Sequence, residues 1–269
     1  MAIGSMGPRW THLAAAFLLG ASTAATQDPV AVDLQLVLAV DVSYSIGLDE
    51  LQLQRTGYVE AFRRPEIMRA IGTGRLGRIA VTYVEWGGKA VQVLPWTLIE
   101  DRQSAAQFAE ALRRQPIRRI SFTSISNVLA FARRLVHLSP YRGSRRVIDI
   151  SGDGPNNAGV PAPVARNSTV AQGIVIDGLA IMLRDTPDSA SIPDLDAYYR
   201  QCVVGGEGAF VMKVSEASQF SAAILAKLTA EISGLKVSGA RQPRPEPAEY
   251  AQSYNCFIGE EMQERSIGR

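Results

Sequence analysis

The side chains of this chain best placed for chemistry carry oxygen. Asp41-Val42-Ser43-Tyr44-Ser45 sets a carboxylate and two hydroxyls at alternate positions, and alternate spacing lets one extended turn point all three oxygens the same way. Asp153 stands in Ser151-Gly152-Asp153-Gly154, and Thr123 directly precedes Ser124-Ile125-Ser126-Asn127. Asp41, Ser43, Ser45, Thr123 and Asp153 offer oxygen ligands and no soft donor. Such a set suits a hard divalent cation, Mg²⁺ in first place, with Mn²⁺ or Ca²⁺ as substitutes. Each piece alone has a plainer reading. Asp41 with its serines could close a turn, Thr123 or Ser124 could cap a helix, and Asp153-Gly154 is an ordinary turn pair.

Other reactive types are scarce. The two histidines are His12 and His137, and the two cysteines, Cys202 and Cys256, are too few for a disulfide scaffold or a four-cysteine zinc site. No histidine or lysine stands near Ser43 in sequence to take its proton, and the position two after Asp41 is serine where a haloacid-dehalogenase-type phosphatase needs a second aspartate. No GxxxxGK[ST] loop is present, and Gly72-Thr73-Gly74 runs into Arg75-Leu76, which suits a plain turn. Binding without catalysis is therefore expected, with a metal-dependent hydrolase or phosphatase as the alternative. Lys and Arg number 28 against 26 Asp and Glu, a net charge of +2, which gives no reason to expect nucleic acid as a partner.

These oxygens need a scaffold, and 46% apolar residues in 269 can supply a full core. Strand-length apolar runs alternate with helix-length amphipathic stretches, the pattern of a mostly parallel sheet covered by helices. Strands are expected at 34–40, 79–86, 90–94, 146–150, 174–182 and 209–214, the third pairing with the second as a hairpin across Gly87-Gly88. Helices are expected at 48–70 with a break at Pro65, at 101–114, at 124–138, and after Ser215 as a cap. Residues 155–163 read as a loop leaving the fourth strand. Ligands of open sheets sit outside the carboxyl ends of the strands, where Asp41 and Asp153 both fall.

Residues 1–25, with Arg9, a short apolar run at 13–20 and small residues at 21–25, read as an export signal. That run is shorter than the ~20 residues that span a bilayer, so the mature chain is expected to be extracytoplasmic, periplasmic or secreted, without a transmembrane helix. In an oxidising compartment Cys202 and Cys256 can form one disulfide that ties the tail to the domain; two separate thiols are the other possibility. The Pro/Arg/Glu-rich stretch 240–249 reads as linker within a polar tail, 235–269.

Taken together, Asp41-x-Ser43-x-Ser45 after an apolar strand, Thr123 before a helix and Asp153-Gly154 after another strand resemble a von Willebrand factor A-type domain with its metal-ion-dependent adhesion site, over residues 32–234. The wording from Arg145 to Asn157 is similar to a subgroup of uncharacterised exported bacterial members. The resemblance implies a three-layer αβα, Rossmann-like fold with a mostly parallel six-stranded sheet and one antiparallel edge strand. It implies Ser43 and Ser45 as direct metal ligands, Thr123 as a direct or water-mediated one, and Asp41 and Asp153 acting mostly through waters. A partner protein's Glu or Asp carboxylate would take the remaining position. Neutral hydroxyls leave the cation electrophilic, which favours such an incoming anion. Many members have glycine beside the threonine; here Phe122 and Ser124 flank it, which is expected to hold the Thr123 loop further from the metal.

Smaller expectations complete the reading. His137 is placed to meet the carbonyl end of its helix. Asp149 is expected to be buried, pairing with an arginine or supporting the site loop. Asn156 and Asn157 are expected to hold that loop through backbone bonds. Arg118 and Arg119 read first as solvated surface, with attraction of an acidic partner near the metal as the alternative.

Overall fold

The computed structural model describes residue 1 and residues 28–183, 191–234 and 254–267. The export segment expected at 1–25 lies outside them apart from Met1, as does the linker expected at 240–249. In chain order the elements are β1 (Val30–Asp41), α1 (Leu48–Arg63), α2 (Pro65–Gly72), β2 (Ile79–Trp86), β3 (Ala90–Ile99), α3 (Arg102–Arg113), α4 (Ile125–His137) and β4 (Tyr141–Gly152). There follow α5 (Ala162–Val170), β5 (Val175–Ile181), α6 (Leu195–Tyr198) running into a π-helical turn (Tyr199–Val203), β6 (Val211–Val214), α7 (Phe220–Ser233) and α8 (Ile258–Ile267).

The strands form one sheet in the order β3-β2-β1-β4-β5-β6. All neighbours are parallel except the β2–β3 pair at one edge. Central strands covered on both faces are largely apolar, and every residue from Leu34 to Val40 on β1 is buried, with Gln35 the one polar residue among them. On one face α1, α2, α3 and α7 enclose a core that includes Leu36, Tyr58, Phe62, Tyr83, Phe108 and Leu228. On the other, α4, α5 and α6 with its π-turn enclose Val37, Trp86, Leu129, Ile150 and Tyr199. Two layers of helix on a mostly parallel sheet is the three-layer α/β architecture expected from the alternation of patterns.

Local chemistry sets the element ends. Arg64 is extended and Pro65 occupies the first turn of α2, so the expected 48–70 helix divides there. Asp101 caps α3 by accepting from Ser104 N–H at 2.7 Å, and Ser124 caps α4 by accepting from Asn127 N–H at 3.3 Å. Ser215 does not cap α7. Residues Ala217–Gln219 form a 3₁₀ turn first, and α7 begins at Phe220 without a side-chain cap. The stretch read as loop to residue 163 also ends earlier, because Pro161 and Pro163 fit the first turn of α5.

The most charged part of the interior lies between α7 and the sheet. Lys227 is 1% exposed, and its Nζ is 2.6 Å from the Asp149 carboxylate on β4 and paired with Glu231 one turn along α7. Asp149 was expected to meet an arginine or the site loop; its partner is this lysine, because β4 turns it toward the α7 face. Burial opposes the ammonium, but Asp149, Glu231 and Asp177 together hold its pKa above the ordinary lysine value. Burial, with repulsion from Asp149, pushes Glu231 well above the usual carboxylate range although Lys227 pulls the other way.

Candidate metal centre

From β1 the chain turns toward β2, while β4 lies against the opposite edge of β1. The carboxyl ends of β1 and β4 therefore flank a crevice at the point where the strand order reverses. Val40 pairs with Ser151 across these strands, so Asp41 and Gly152 end side by side and Asp153 follows at once.

The loop after β1 is folded on its own oxygens. Ser43 N–H donates to Asp41 Oδ1 at 2.7 Å, Ser43 Oγ and Ser45 Oγ lie 2.8 Å apart, and Ser45 Oγ donates to Asp153 Oδ1 at 2.8 Å. Asp41, Ser43, Ser45 and Asp153 thus converge from two loops. Asp41 and Ser43 are almost wholly buried. Arg119 holds this loop from outside, donating to the carbonyls of Tyr44 (2.7 Å) and Ile46 (3.1 Å), with its guanidinium over the Tyr44 ring. Arg118 reaches Glu85 at 3.3 Å, a carboxylate also paired with Arg55. Both arginines, read first as solvated surface and alternatively as drawing in a partner, are thus engaged with the protein itself.

Thr123 is brought to the same edge by a third segment. Ile120 forms a parallel bridge with Ser43, its N–H donating to the Val42 carbonyl at 2.9 Å. Asn157, just beyond Asp153, accepts from Thr123 N–H through Oδ1 and donates its own N–H to the Thr123 carbonyl, both at 2.8 Å. Asn156 Oδ1 accepts from Ser126 N–H at 3.1 Å. The two asparagines therefore tie the loop after β4 to the start of α4. Thr123 is 3% exposed. The flanking residue Phe122 has φ 64°, the one non-glycine residue in the left-handed region among those described. Its backbone thus adopts a turn that glycine more commonly supplies.

The floor of the crevice was not legible in the sequence. An ideal Cβ on Gly152 would lie 2.6 Å from Tyr199 Oη and 2.8 Å from Asp41 Oδ2, closer than real Cβ atoms approach, and a tight 3.2 Å from the Trp86 ring. Only glycine fits there. The glycine of a Ser-Gly-Asp-Gly run was the available signal, whereas Tyr199 lies on a π-turn that no local pattern announces.

Electrostatically the site is short of positive charge. Asp41 Oδ2 is buried without a hydrogen-bond partner. Burial first, and repulsion from Asp153 second, push the Asp41 pKa well above the ordinary range, against the bonds from Ser43. Burial and then the same two carboxylates raise Tyr199 as well. A divalent cation beside Asp41 and Asp153 would offset the repulsion between them and stabilise the ionised carboxylates against burial, so the donor set fits one. Among the described residues no group of three or more His, Cys, Asp or Glu could hold a metal, so a site here has to rely on hydroxyl oxygens.

Cys202 and Cys256 form a disulfide, as expected for the tail. No described helix is long and apolar enough to cross a membrane. His137 ends α4, where its Nε2 lies 2.5 Å from Gln172 Oε1.

Comparison with known proteins identifies the fold and the family. Residues 31–236 match the family described as "Protein of unknown function (DUF1194)". No curated protein matches the chain. Among solved structures, proximal thread matrix protein 1 from the mussel byssus "with zinc occupied MIDAS motif" is similar at 15% identity and a TM-score of 0.54, over 75% of this chain and 46% of that one. A von Willebrand factor type A protein from Catenulispora acidiphila gives 17% identity and a TM-score of 0.54, over 75% and 43%. The pilus adhesin SpaC from Lactobacillus rhamnosus GG gives 12% and 0.56, over 75% and 30%. The chain spans less than half the length of each. The fold is that of a von Willebrand factor A-type domain.

Proposed function

The chain belongs to the DUF1194 family, and we propose that it is an exported module that captures a partner protein through a divalent cation at the Asp41 loop, without catalysing a reaction. Ser43 and Ser45 would hold the cation directly, Thr123 directly or through water, and Asp41 and Asp153 mostly through water. Bound there, the cation supplies an electrophilic position for a partner's Glu or Asp carboxylate, with Mg²⁺ the first candidate and Mn²⁺ or Ca²⁺ as substitutes. The observation that carries the reading is the convergence of Asp41, Ser43, Ser45 and Asp153 by contacts of 2.7–2.8 Å from loops far apart in sequence. The zinc-occupied motif in the similarly folded byssus protein supports it.

The rim favours a macromolecular partner. Tyr44, between the two serines, is 58% exposed, and Phe122, beside Thr123, is 56% exposed. A partner reaching the centre would meet these two exposed aromatic side chains, and aromatic residues are the usual anchors of protein interfaces. Neighbouring groups give little support to catalysis. Both cysteines are bridged, and His137 lies at the far end of α4 from Ser124, about 20 Å along a helix of that length.

Chelator-controlled capture from the envelope fraction of the source cells tests the proposal. The wild-type chain should retain a partner with Mg²⁺ and lose it with chelator, and Ser43→Ala should not retain it. A partner held equally in all three arms sinks metal-dependent capture. Turnover of generic phosphate or ester substrates that needs Mg²⁺ and disappears in Asp41→Ala would establish the hydrolase instead.

A further inference from the structure

The segment beyond the domain body reaches back to the candidate centre. The Cys202–Cys256 bridge fixes its start to the π-turn after α6. Tyr254 donates from its hydroxyl to Asp194 at 3.0 Å and packs against the Tyr198 ring. Ile258 and Met262 of α8 pack on the same core cluster as Tyr198 and Ile150. Gly259 sits so closely on the Asn156 carbonyl that a Cβ there would come within 2.1 Å of its oxygen. Glu260 Oε1 accepts from Asn156 Nδ2 at 2.7 Å. Asn156 is fully buried, and its backbone N–H donates to Tyr198 Oη at 3.1 Å.

Asn156 is thus gripped from behind by Glu260, Gly259 and Tyr198, while its Oδ1 holds the first turn of α4. Its neighbour Asn157 holds Thr123 at two points. Of the five candidate oxygen donors, Thr123 and Asp153 ride on this assembly. Asp41, Ser43 and Ser45 belong to the β1 loop, which Arg119 braces separately.

We propose that the disulfide-tethered helix α8 is a strap that sets the loop from Asp153 to Asn157 for cation binding, with Glu260 as its positioning residue. The inference rests on the cation reading of the site. A loop that must be ordered before two of its oxygens can act binds more weakly than one already held in place, because ordering then has to be supplied by binding itself. Glu260 touches neither the cation nor its donors and acts through Asn156, as partners behind metal ligands commonly do.

The test is Mn²⁺ titration calorimetry on the full chain, alongside amide hydrogen exchange of Thr123 and Ser126 without metal. Glu260→Ala removes the nearer of the two acceptors of Asn156 Nδ2, leaving the Val160 carbonyl at 3.2 Å, and should weaken Mn²⁺ binding about tenfold, with faster exchange at both amides. Glu260→Gln keeps an acceptor oxygen and should stay near wild type in both readouts, a rescue that loss of general stability would not give. Cys202→Ser with Cys256→Ser should act in the same direction as Glu260→Ala; if that variant does not fold, the Glu260 pair decides, since it keeps the bridge. Wild-type binding with unchanged Glu260→Ala affinity overturns the strap and spares the cation reading. Equal weakening in Ala and Gln also overturns it, by pointing to charge alone. A wild-type chain that takes up no Mn²⁺ overturns the cation reading and the strap's role in it.

Discussion

Phe122 offers a direct test of how the rim is built. Its φ of 64° puts an L-residue in the left-handed region, where the Cβ meets the following carbonyl at a cost of roughly 1–2 kcal/mol. Glycine escapes that cost, but it gives up more conformational freedom on folding, by about 0.4–1 kcal/mol relative to alanine. At an ordinary site alanine is therefore the more stable choice. At Phe122 the order should invert, with Phe122→Gly more stable than Phe122→Ala by about 0.5–1 kcal/mol. Comparing the two truncations with each other, and not with wild type, cancels the lost packing of the ring. Urea denaturation of the two variants, followed by circular dichroism at neutral pH, reads the difference as a shift in midpoint at constant slope. Both variants lose the exposed ring, so both should capture the partner more weakly than wild type, and the more stable one no better than the other. Alanine equal to or more stable than glycine would refute the backbone argument. Undiminished capture would refute the reading of Phe122 as a contact.

Three further outcomes are expected. Gly152→Ala forces a Cβ into Tyr199 Oη and Asp41 Oδ2. It should lower stability by about 1–3 kcal/mol and abolish measurable Mg²⁺ binding by calorimetry, with Tyr199→Phe in the same chain restoring part of the stability. Lys227→Met leaves Asp149 and Glu231 buried without their cation and should lose about 3–5 kcal/mol at pH 7.5. Thermal melts at that pH read the loss, and an unchanged midpoint would contradict it. Asp177 is raised by burial, against the pull of Lys227 and the Phe210 N–H and with repulsion from Asp149, from 3.8 to about 6. The folded state thus keeps a proton that the unfolded chain releases between those values, so this group makes stability fall as pH rises from 3.8 to about 6. Asp177→Asn retains an oxygen for the Phe210 N–H and should flatten that slope, an effect of at most about 3 kcal/mol; an unchanged denaturation profile across the window would contradict it.

The strand pattern of the central sheet was legible because burial on both faces leaves little choice of residue. β2 matches its expected span, Ile79–Trp86. β4 begins at Tyr141, ahead of the expected 146, since its first residues are polar and partly exposed, and their pairing with Val30 to Val32 is what makes them strand. α5 was missed because Ala-Pro-Val-Ala-Arg-Asn-Ser-Thr-Val carries no strong apolar stripe and owes its helix to packing on α4 and β5. At the site, the convergence of Asp41, Ser43, Ser45 and Asp153 was readable from their places at strand ends. The supporting contacts of Arg119, Tyr199 and Glu260 were not, since each depends on segments brought together only by the finished fold. Asp149 shows the same limit: its burial could be inferred from an apolar strand, but its partner lies on a helix much later in the chain.

Lys227 has a mechanical consequence. A helix seated on a sheet by apolar side chains alone can slide by one turn and find comparable packing. α7 is denied that freedom. A displacement of about 5.4 Å would strip the ammonium from Asp149, and the positions one turn either side along its inner face are Ile224 and Glu231, so no second cation would arrive. Travel of α7 along the sheet would therefore leave buried carboxylates without their cation, which makes its register a matter of charge as much as of shape.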